Sequence, residues 1–244
     1  MMRDWAARLL DSLERGVSVQ DIGRSAPFTA GLARIAGSLA RTGLTPNTLT
    51  LMSLVPAIAS GIAAAWGALG WAAALLLASG AFDILDGPLA RATGTATRFG
   101  ALLDSTVDRV TDAAPLLGLT ILYSNSGWPA VLPAVALLAA YTVSYVRARC
   151  EGLKVALPPL WMRRGDRMIL LVLSLLLGSL APSLALVGVG LIALLSALAA
   201  ADALRVARHV IDAKSAHDKA AGDRTVDAGP ATEIANSTSG GGRI

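Results

Sequence analysis

Charge is scarce in this 244-residue chain: 16% of residues are charged against 54% hydrophobic, and the mean hydropathy is +0.59. A balance so far from the soluble average excludes an ordinary water-soluble enzyme and points to a protein of the bilayer. Cys150 is the single cysteine, which excludes an intramolecular disulfide and a zinc site built on cysteine. Histidine occurs twice, at His209 and His217, at or in a polar C-terminal stretch with no ligand-like neighbours, so neither is assigned to chemistry. The stretch MMRDWAARLLDSLERG lacks a short apolar core followed by an A-x-A site, so insertion is expected through the spans themselves. No internal repeat is evident, which weakens a transporter built from inverted halves.

Apolar length is what the chain has in place of charge. A helix needs roughly 20 apolar residues to cross about 30 Å of hydrocarbon, and six windows approach or exceed this: about 47–67, 70–92, 99–123, 128–150, 165–181 and 183–208. The expected fold is therefore all-α, a polytopic membrane protein with six transmembrane helices over 42–211. Ahead of it, residues 1–41 set Trp5, Leu9, Leu10 and Leu13 on one helical side, as an amphipathic juxtamembrane helix or, equally, a soluble helix capping the loops. Residues 212–244, polar, Gly/Ser/Thr-rich and non-periodic, read as a disordered tail. Pro88 inside the second span predicts a kink, as does Pro56 in the first.

The basic residues orient these spans. The connections near 68–69, 124–127 and 182 contain no Lys or Arg, and all 21 fall toward the other side. By the positive-inside rule that side is cytoplasmic, with both termini, and Trp66, Trp71 and Trp128 supply an aromatic belt at the opposite interface. A pI of 9.7 then reflects topology and contact with anionic membrane lipids, not nucleic acid.

Against this background the stretch DILDGPLARATGTATRFGALLDSTVD, residues 83–108, is anomalous. Asp83 and Asp86 are spaced i, i+3 and Asp104 and Asp108 i, i+4, so each pair shares a helical face. Ionisable groups inside spans are functional candidates by default. Four converging anions need protonation, arginine pairing from Arg91, Arg98 or Arg109, or divalent cations, and a set of hard oxygen ligands suits Mg²⁺ or Mn²⁺ best. Gly87, Ala90 and Gly100 leave room beside the carboxylates; small residues also let membrane helices pack closely. A transporter whose carboxylates carry a coupling ion is the rival class, but Asp83 to Asp108 lie toward one leaflet and no polar path continues outward in span two.

Asp83-x2-Asp86-Gly87-x2-Ala90-Arg91-x8-Gly100-x3-Asp104-x3-Asp108 resembles the signature of the CDP-alcohol phosphatidyltransferases, agreeing at all eight fixed positions and every spacing. The resemblance implies a membrane enzyme that takes a CDP-linked lipid such as CDP-diacylglycerol, transfers its phosphoryl-linked portion to an alcohol and releases CMP. It implies that Asp83, Asp86 and Asp104 hold one or two Mg²⁺ or Mn²⁺ ions, with Asp108 a further ligand or the general base. Gly87, Ala90, Arg91 and Gly100 would line the nucleotide site, and the family commonly forms homodimers.

The acceptor must be read elsewhere. SYVRARCE ends span four with Arg147, RRGDR opens span five with Arg163, Arg164 and Arg167, and Arg205 lies near the end of span six. Singly, each fits a snorkelling arginine; together they fit a phosphate, which guanidinium groups bind bidentately. The pattern resembles the branch of the family that accepts inositol phosphate, with Arg147 where Lys is expected and Asp166 where Glu is expected. On that resemblance Arg147, Arg164 or Arg167, and Arg205 would grip the phosphate of a phosphorylated polyol, with glycerol 3-phosphate the main rival.

Overall fold

The computed structural model describes residues 26–158 and 161–227, and among them every regular element is helical. In order these are α1 (Ala26–Ala40), α2 (Pro46–Ala65), α3 (Leu69–Thr93), α4 (Arg98–Leu122), α5 (Val131–Gly152), α6 (Arg164–Gly178) and α7 (Pro182–Asp227), with 3₁₀ turns at Ser124–Ser126 and Trp128–Ala130 before α5.

Local chemistry sets the helix ends. Thr45 caps α2 by accepting the Thr48 N–H at 3.2 Å, and Pro46 takes the first position, where no amide hydrogen is needed. Gly94 ends α3 in the left-handed region, at φ 66°, and donates back to the Ala90 carbonyl. Thr97 caps α4 by accepting the Gly100 N–H at 2.9 Å. The Asp166 carboxylate accepts the Arg163 N–H at 2.9 Å, which starts α6 so that Arg164 is its first residue. α2 and α3 run through Pro56 and Pro88 without a break, although each proline removes one backbone donor.

Segments Pro46–Ala65, Leu69–Thr93, Trp128–Gly152 and Pro182–Ala213 are long and apolar enough to cross a membrane. α4 has 25 residues but carries Asp104, Asp108, Arg109 and Asp112, and α6 has 15 residues, so on length and composition these two fall short. Exposed Trp66, Trp71 and Trp128 share the end of the bundle where the loops carry no basic residue. There Tyr123 Oη donates to the Pro182 carbonyl at 2.7 Å and ties the α4 end to the start of α7.

Backbones approach closely wherever side chains are absent. A Cβ on Gly118 would stand 2.1 Å from the Gly61 carbonyl oxygen and one on Gly61 2.5 Å from that of Ala114, so α2 and α4 touch backbone to backbone. Gly188 receives Ser174 and joins α7 to α6, and Gly80 receives Met168 and joins α3 to α6. Buried hydroxyls add polar ties between α2 and α3: Ser79 Oγ donates to Ser53 O at 2.9 Å and Ser60 Oγ to Ala72 O at 2.7 Å. Each such bond contributes about 0.6 kcal/mol in a membrane protein. The main core gathers Leu69, Leu76, Leu116, Leu119, Leu175 and Val189, while Val55, Ile121, Leu138 and Val187 face outward, as lipid contact requires.

Two sequence expectations concern the termini. Of the amphipathic segment 1–41, Trp5, Leu9, Leu10 and Leu13 lie outside the described residues; the described part, α1, buries Ala36 against Leu49 and Leu89. The tail expected from 212 does not begin there, because α7 continues to Asp227. Its sequence IDAKSAHDKAAGDR is polar but rich in helix formers and free of proline, and polarity does not prevent a helix from extending into water. Residues 228–244 lie outside the described residues.

Candidate active site

Three helices converge on one end of the bundle. α3 brings Asp83 and Asp86, α4 brings Asp104 and Asp108, and α6 brings Arg164 and Arg167. One carboxylate oxygen from each of Asp83, Asp104 and Asp108 lies within 4.8 Å of the other two. At such a separation, with an effective dielectric near 20, each pair of anions repels by roughly 3 kcal/mol. Asp86 stands apart from these three: its Oδ2 accepts a 2.6 Å hydrogen bond from Thr50 on α2.

Arg164 inserts a positive charge into the cluster. Its Nη1 lies 2.5 Å from Asp83 Oδ2 and 2.9 Å from Asp108 Oδ1, its Nη2 donates to Thr111 Oγ1 at 2.8 Å, and its Nε lies 3.3 Å from Asp112 Oδ1. Arg167 is buried, at 6% exposure, and donates to the Met162 carbonyl at 3.0 Å; its Nη2 lies 3.4 Å from both Asp112 Oδ2 and Ser144 Oγ. The Met162 backbone is left-handed, at φ 55°, and this bond fixes it immediately before α6.

One cation does not satisfy the carboxylates. Asp83 Oδ1 and Asp108 Oδ1 are buried without a hydrogen-bond partner, the latter despite its contact with Arg164, which lies outside hydrogen-bond geometry. Orphaned anionic oxygens on an all-carboxylate set are what a hard divalent cation satisfies, so these residues fit Mg²⁺ or Mn²⁺.

The positions expected to face the nucleotide lie on the α3–α4 side. Gly87 is open except for the Arg91 guanidinium, which folds back to 3.5 Å from where a Cβ would stand; Ala90 is half-buried and Arg91 exposed. At Gly100 a Cβ would meet Asn47 Oδ1 and Thr97 Oγ1, both at 3.2 Å, so this glycine admits the α2 terminus. Of the basic residues expected at the acceptor, Arg164 and Arg167 meet the aspartates. Arg147 is exposed and pairs with Glu151 at 3.1 Å, and Arg205 is exposed.

Sequence reasoning missed Asp112, Thr111, Ser144 and Thr50. Asp112 continues the four-residue spacing of Asp104 and Asp108 along α4, a signal present in the sequence. The three hydroxyl residues carry no such signal, since their spacing to the carboxylates becomes meaningful only once the helices pack.

The family model for the CDP-alcohol phosphatidyltransferases matches residues 43–214. The chain belongs to the CDP-alcohol phosphatidyltransferase family. As a member it is an integral membrane protein, in keeping with its four long apolar helices. A phosphatidylinositol phosphate synthase of Mycobacteroides abscessus is 33% identical over 143 residues, covering 57% of this chain and 64% of that protein, somewhat under two thirds of its length. An archaetidylinositol phosphate synthase of Pyrococcus horikoshii is 38% identical over 172 residues, covering 68% of this chain and 84% of the relative. Among solved structures, the Mycobacterium tuberculosis phosphatidylinositol phosphate synthase in complex with manganese and citrate aligns with a TM-score of 0.67 at 28% identity, covering 72% of this chain and 88% of that one. The same enzyme with CDP-DAG bound aligns with a TM-score of 0.67 at 28% identity, covering 72% of this chain and 92% of that one. Manganese and CDP-DAG are thus each held by an enzyme with this fold.

Proposed function

We propose that this phosphatidyltransferase moves the phosphatidyl group of CDP-diacylglycerol to a hydroxyl of a phosphorylated polyol, inositol phosphate in preference to glycerol 3-phosphate, and releases CMP. The observation that carries the reading is the meeting of the Asp83, Asp104 and Asp108 carboxylates with the Arg164 guanidinium. A carboxylate cluster suits a metal-bound pyrophosphate, and an arginine at its edge suits a second phosphate. The inositol phosphate synthases among the relatives favour that acceptor.

Asp83, Asp86, Asp104 and Asp108 are the residues that would hold one or two Mg²⁺ or Mn²⁺ ions, which when bound neutralise charge on the pyrophosphate as its phosphoanhydride bond breaks. Gly87, Ala90, Arg91 and Gly100 line the cytidine and pyrophosphate end. Arg164 and Arg167 hold the acceptor phosphate, with Arg147 and Arg205 as outer contacts. Asp108, 2.9 Å from Arg164, then lies beside an acceptor hydroxyl and takes its proton. The hydroxyl oxygen bonds to the lipid-side phosphorus, the bond from that phosphorus to the bridging oxygen breaks, and CMP leaves with the electron pair.

The acyl chains stay in lipid, which accounts for a site within the apolar bundle. All six helices α2 to α7 span the membrane in this reading, with the site and both termini on the basic, cytoplasmic side and a homodimer as the assembly. The test is CMP release from CDP-diacylglycerol with inositol phosphate and glycerol 3-phosphate in parallel, with and without a chelator. Faster turnover with glycerol 3-phosphate would reassign the acceptor. Release that persists in the chelator, or no release with any alcohol at several Mg²⁺ and Mn²⁺ concentrations, would sink the proposal.

A further inference from the structure

Asp112 lies outside the eight-position signature, yet each of its carboxylate oxygens takes a different guanidinium group. Oδ1 is 3.3 Å from Arg164 Nε and Oδ2 is 3.4 Å from Arg167 Nη2. Asp112 and Arg167 also line a cavity whose other walls, Leu76, Leu116, Ala140, Met168, Leu171 and Ile192, are apolar and offer neither of them another polar partner. We propose that Asp112 is a positioning residue that orients the Arg164 and Arg167 guanidinium groups as one phosphate-binding pair; this rests on the acceptor reading given above.

The argument turns on the fixed shape of the arginine fork. Nε and Nη2 of Arg164 are held by Asp112 and Thr111, neighbours on α4, while Nη1 points to Asp83 and Asp108. The Nη1 contacts are with residues that fit a divalent cation, and a carboxylate that coordinates a cation gives up its hold on a guanidinium. The Asp112 and Thr111 contacts are separate from that set and stay in force. Arg164 is thus kept at the edge of the site with Nη1 available to an incoming phosphate. Arg167 is held on the other carboxylate oxygen, with Met162 O and Ser144 Oγ as further partners, and its Nε is buried without one. One anion between two cations also lowers their mutual repulsion, which would otherwise drive the long side chains apart.

The experiment uses the full-length protein, with CDP-diacylglycerol as donor, inositol phosphate as acceptor and Mn²⁺ binding followed by electron paramagnetic resonance. Asp112→Asn is expected to raise the acceptor KM by about tenfold while donor KM, kcat and Mn²⁺ affinity stay within about threefold, the pattern of a supporting contact and not of a ligand. Asp112→Glu, which keeps the charge, is expected to give an intermediate acceptor KM, and it carries the test if the Asn variant does not fold. In an Arg164→Ala background, Asp112→Asn is expected to add far less to the acceptor KM than it does alone, because it acts largely through that arginine. An unchanged acceptor KM, a loss of Mn²⁺ affinity matching the loss of activity, or full additivity with Arg164→Ala would overturn the proposal. A wild-type enzyme that releases CMP only with unphosphorylated alcohols would instead remove the acceptor reading beneath it.

Discussion

Thr50 on α2 donates a 2.6 Å hydrogen bond to Asp86 on α3, so one of the four signature aspartates is held by a helix that carries no signature residue. Thr50 is itself buried, and its Oγ1 also lies 3.1 Å from the Pro46 carbonyl oxygen one turn back. Asp86 is thereby kept at the α2 side of the cluster.

Removing that hydroxyl is expected to loosen Asp86 without disturbing the packing. Thr50→Val should raise the Mn²⁺ concentration needed for half-maximal CMP release by about tenfold, as loss of an outer-shell partner does, and Thr50→Ser should restore it. A metal titration checks this; an unchanged requirement would show that Asp86 does not depend on the bond.

Asp108 can be separated from its neighbours by function. Asp108→Asn should lower turnover by about 10²-fold or more, the scale of a lost general base, while Mn²⁺-dependent binding of CDP-diacylglycerol persists. Equilibrium binding of the donor decides the matter: if it disappears with turnover, Asp108 is mainly a metal ligand.

Arg147 is exposed and engaged with Glu151, an arrangement that on its own contributes at most about 1 kcal/mol. The acceptor reading proposed above predicts that it matters nonetheless: Arg147→Ala should raise the acceptor KM more than the donor KM. Steady-state kinetics with each substrate varied in turn would show it, and equal effects on both would remove Arg147 from the acceptor site.

The α2–α4 contact has no space for a methyl group. Gly118→Ala puts a carbon 2.1 Å from the Gly61 carbonyl oxygen, and since backbone atoms cannot step aside cheaply the cost should be at least about 1–3 kcal/mol. Thermal unfolding in detergent should show a lower Tm, whereas Gly152→Ala, with nothing near its Cβ, should leave Tm much closer to that of the wild type.

Much of this molecule can be read from one dimension. Apolar windows locate both ends of α2 to α6 and the start of α7 to within a few residues, because long apolar stretches favour helices that can cross a bilayer. Asp83 to Asp108 announce themselves because carboxylates inside such windows are costly. Asp112 has the same four-residue spacing but no place in the signature. Thr50, Asn47 and Ser144 are common small polar residues whose meaning depends on which helix lies opposite, and no periodicity encodes that. The end of α7 is hidden for another reason: polarity marks where a helix leaves lipid, not where it stops. Among the basic residues, sequence equates Arg147, Arg164, Arg167 and Arg205, and only packing separates the two that reach the aspartates.

Gly80 and Asp83 lie one turn apart on α3, and Arg164 and Met168 one turn apart on α6, so the Met168 side chain resting on Gly80 is directly next to the Arg164–Asp83 contact. The thickness of a thioether therefore acts as the spacer that sets how far the cationic helix stands from the anionic one. Natural variants that exchange bulk between these two positions would retune the gap between α3 and α6 while leaving every charged group beside it unchanged.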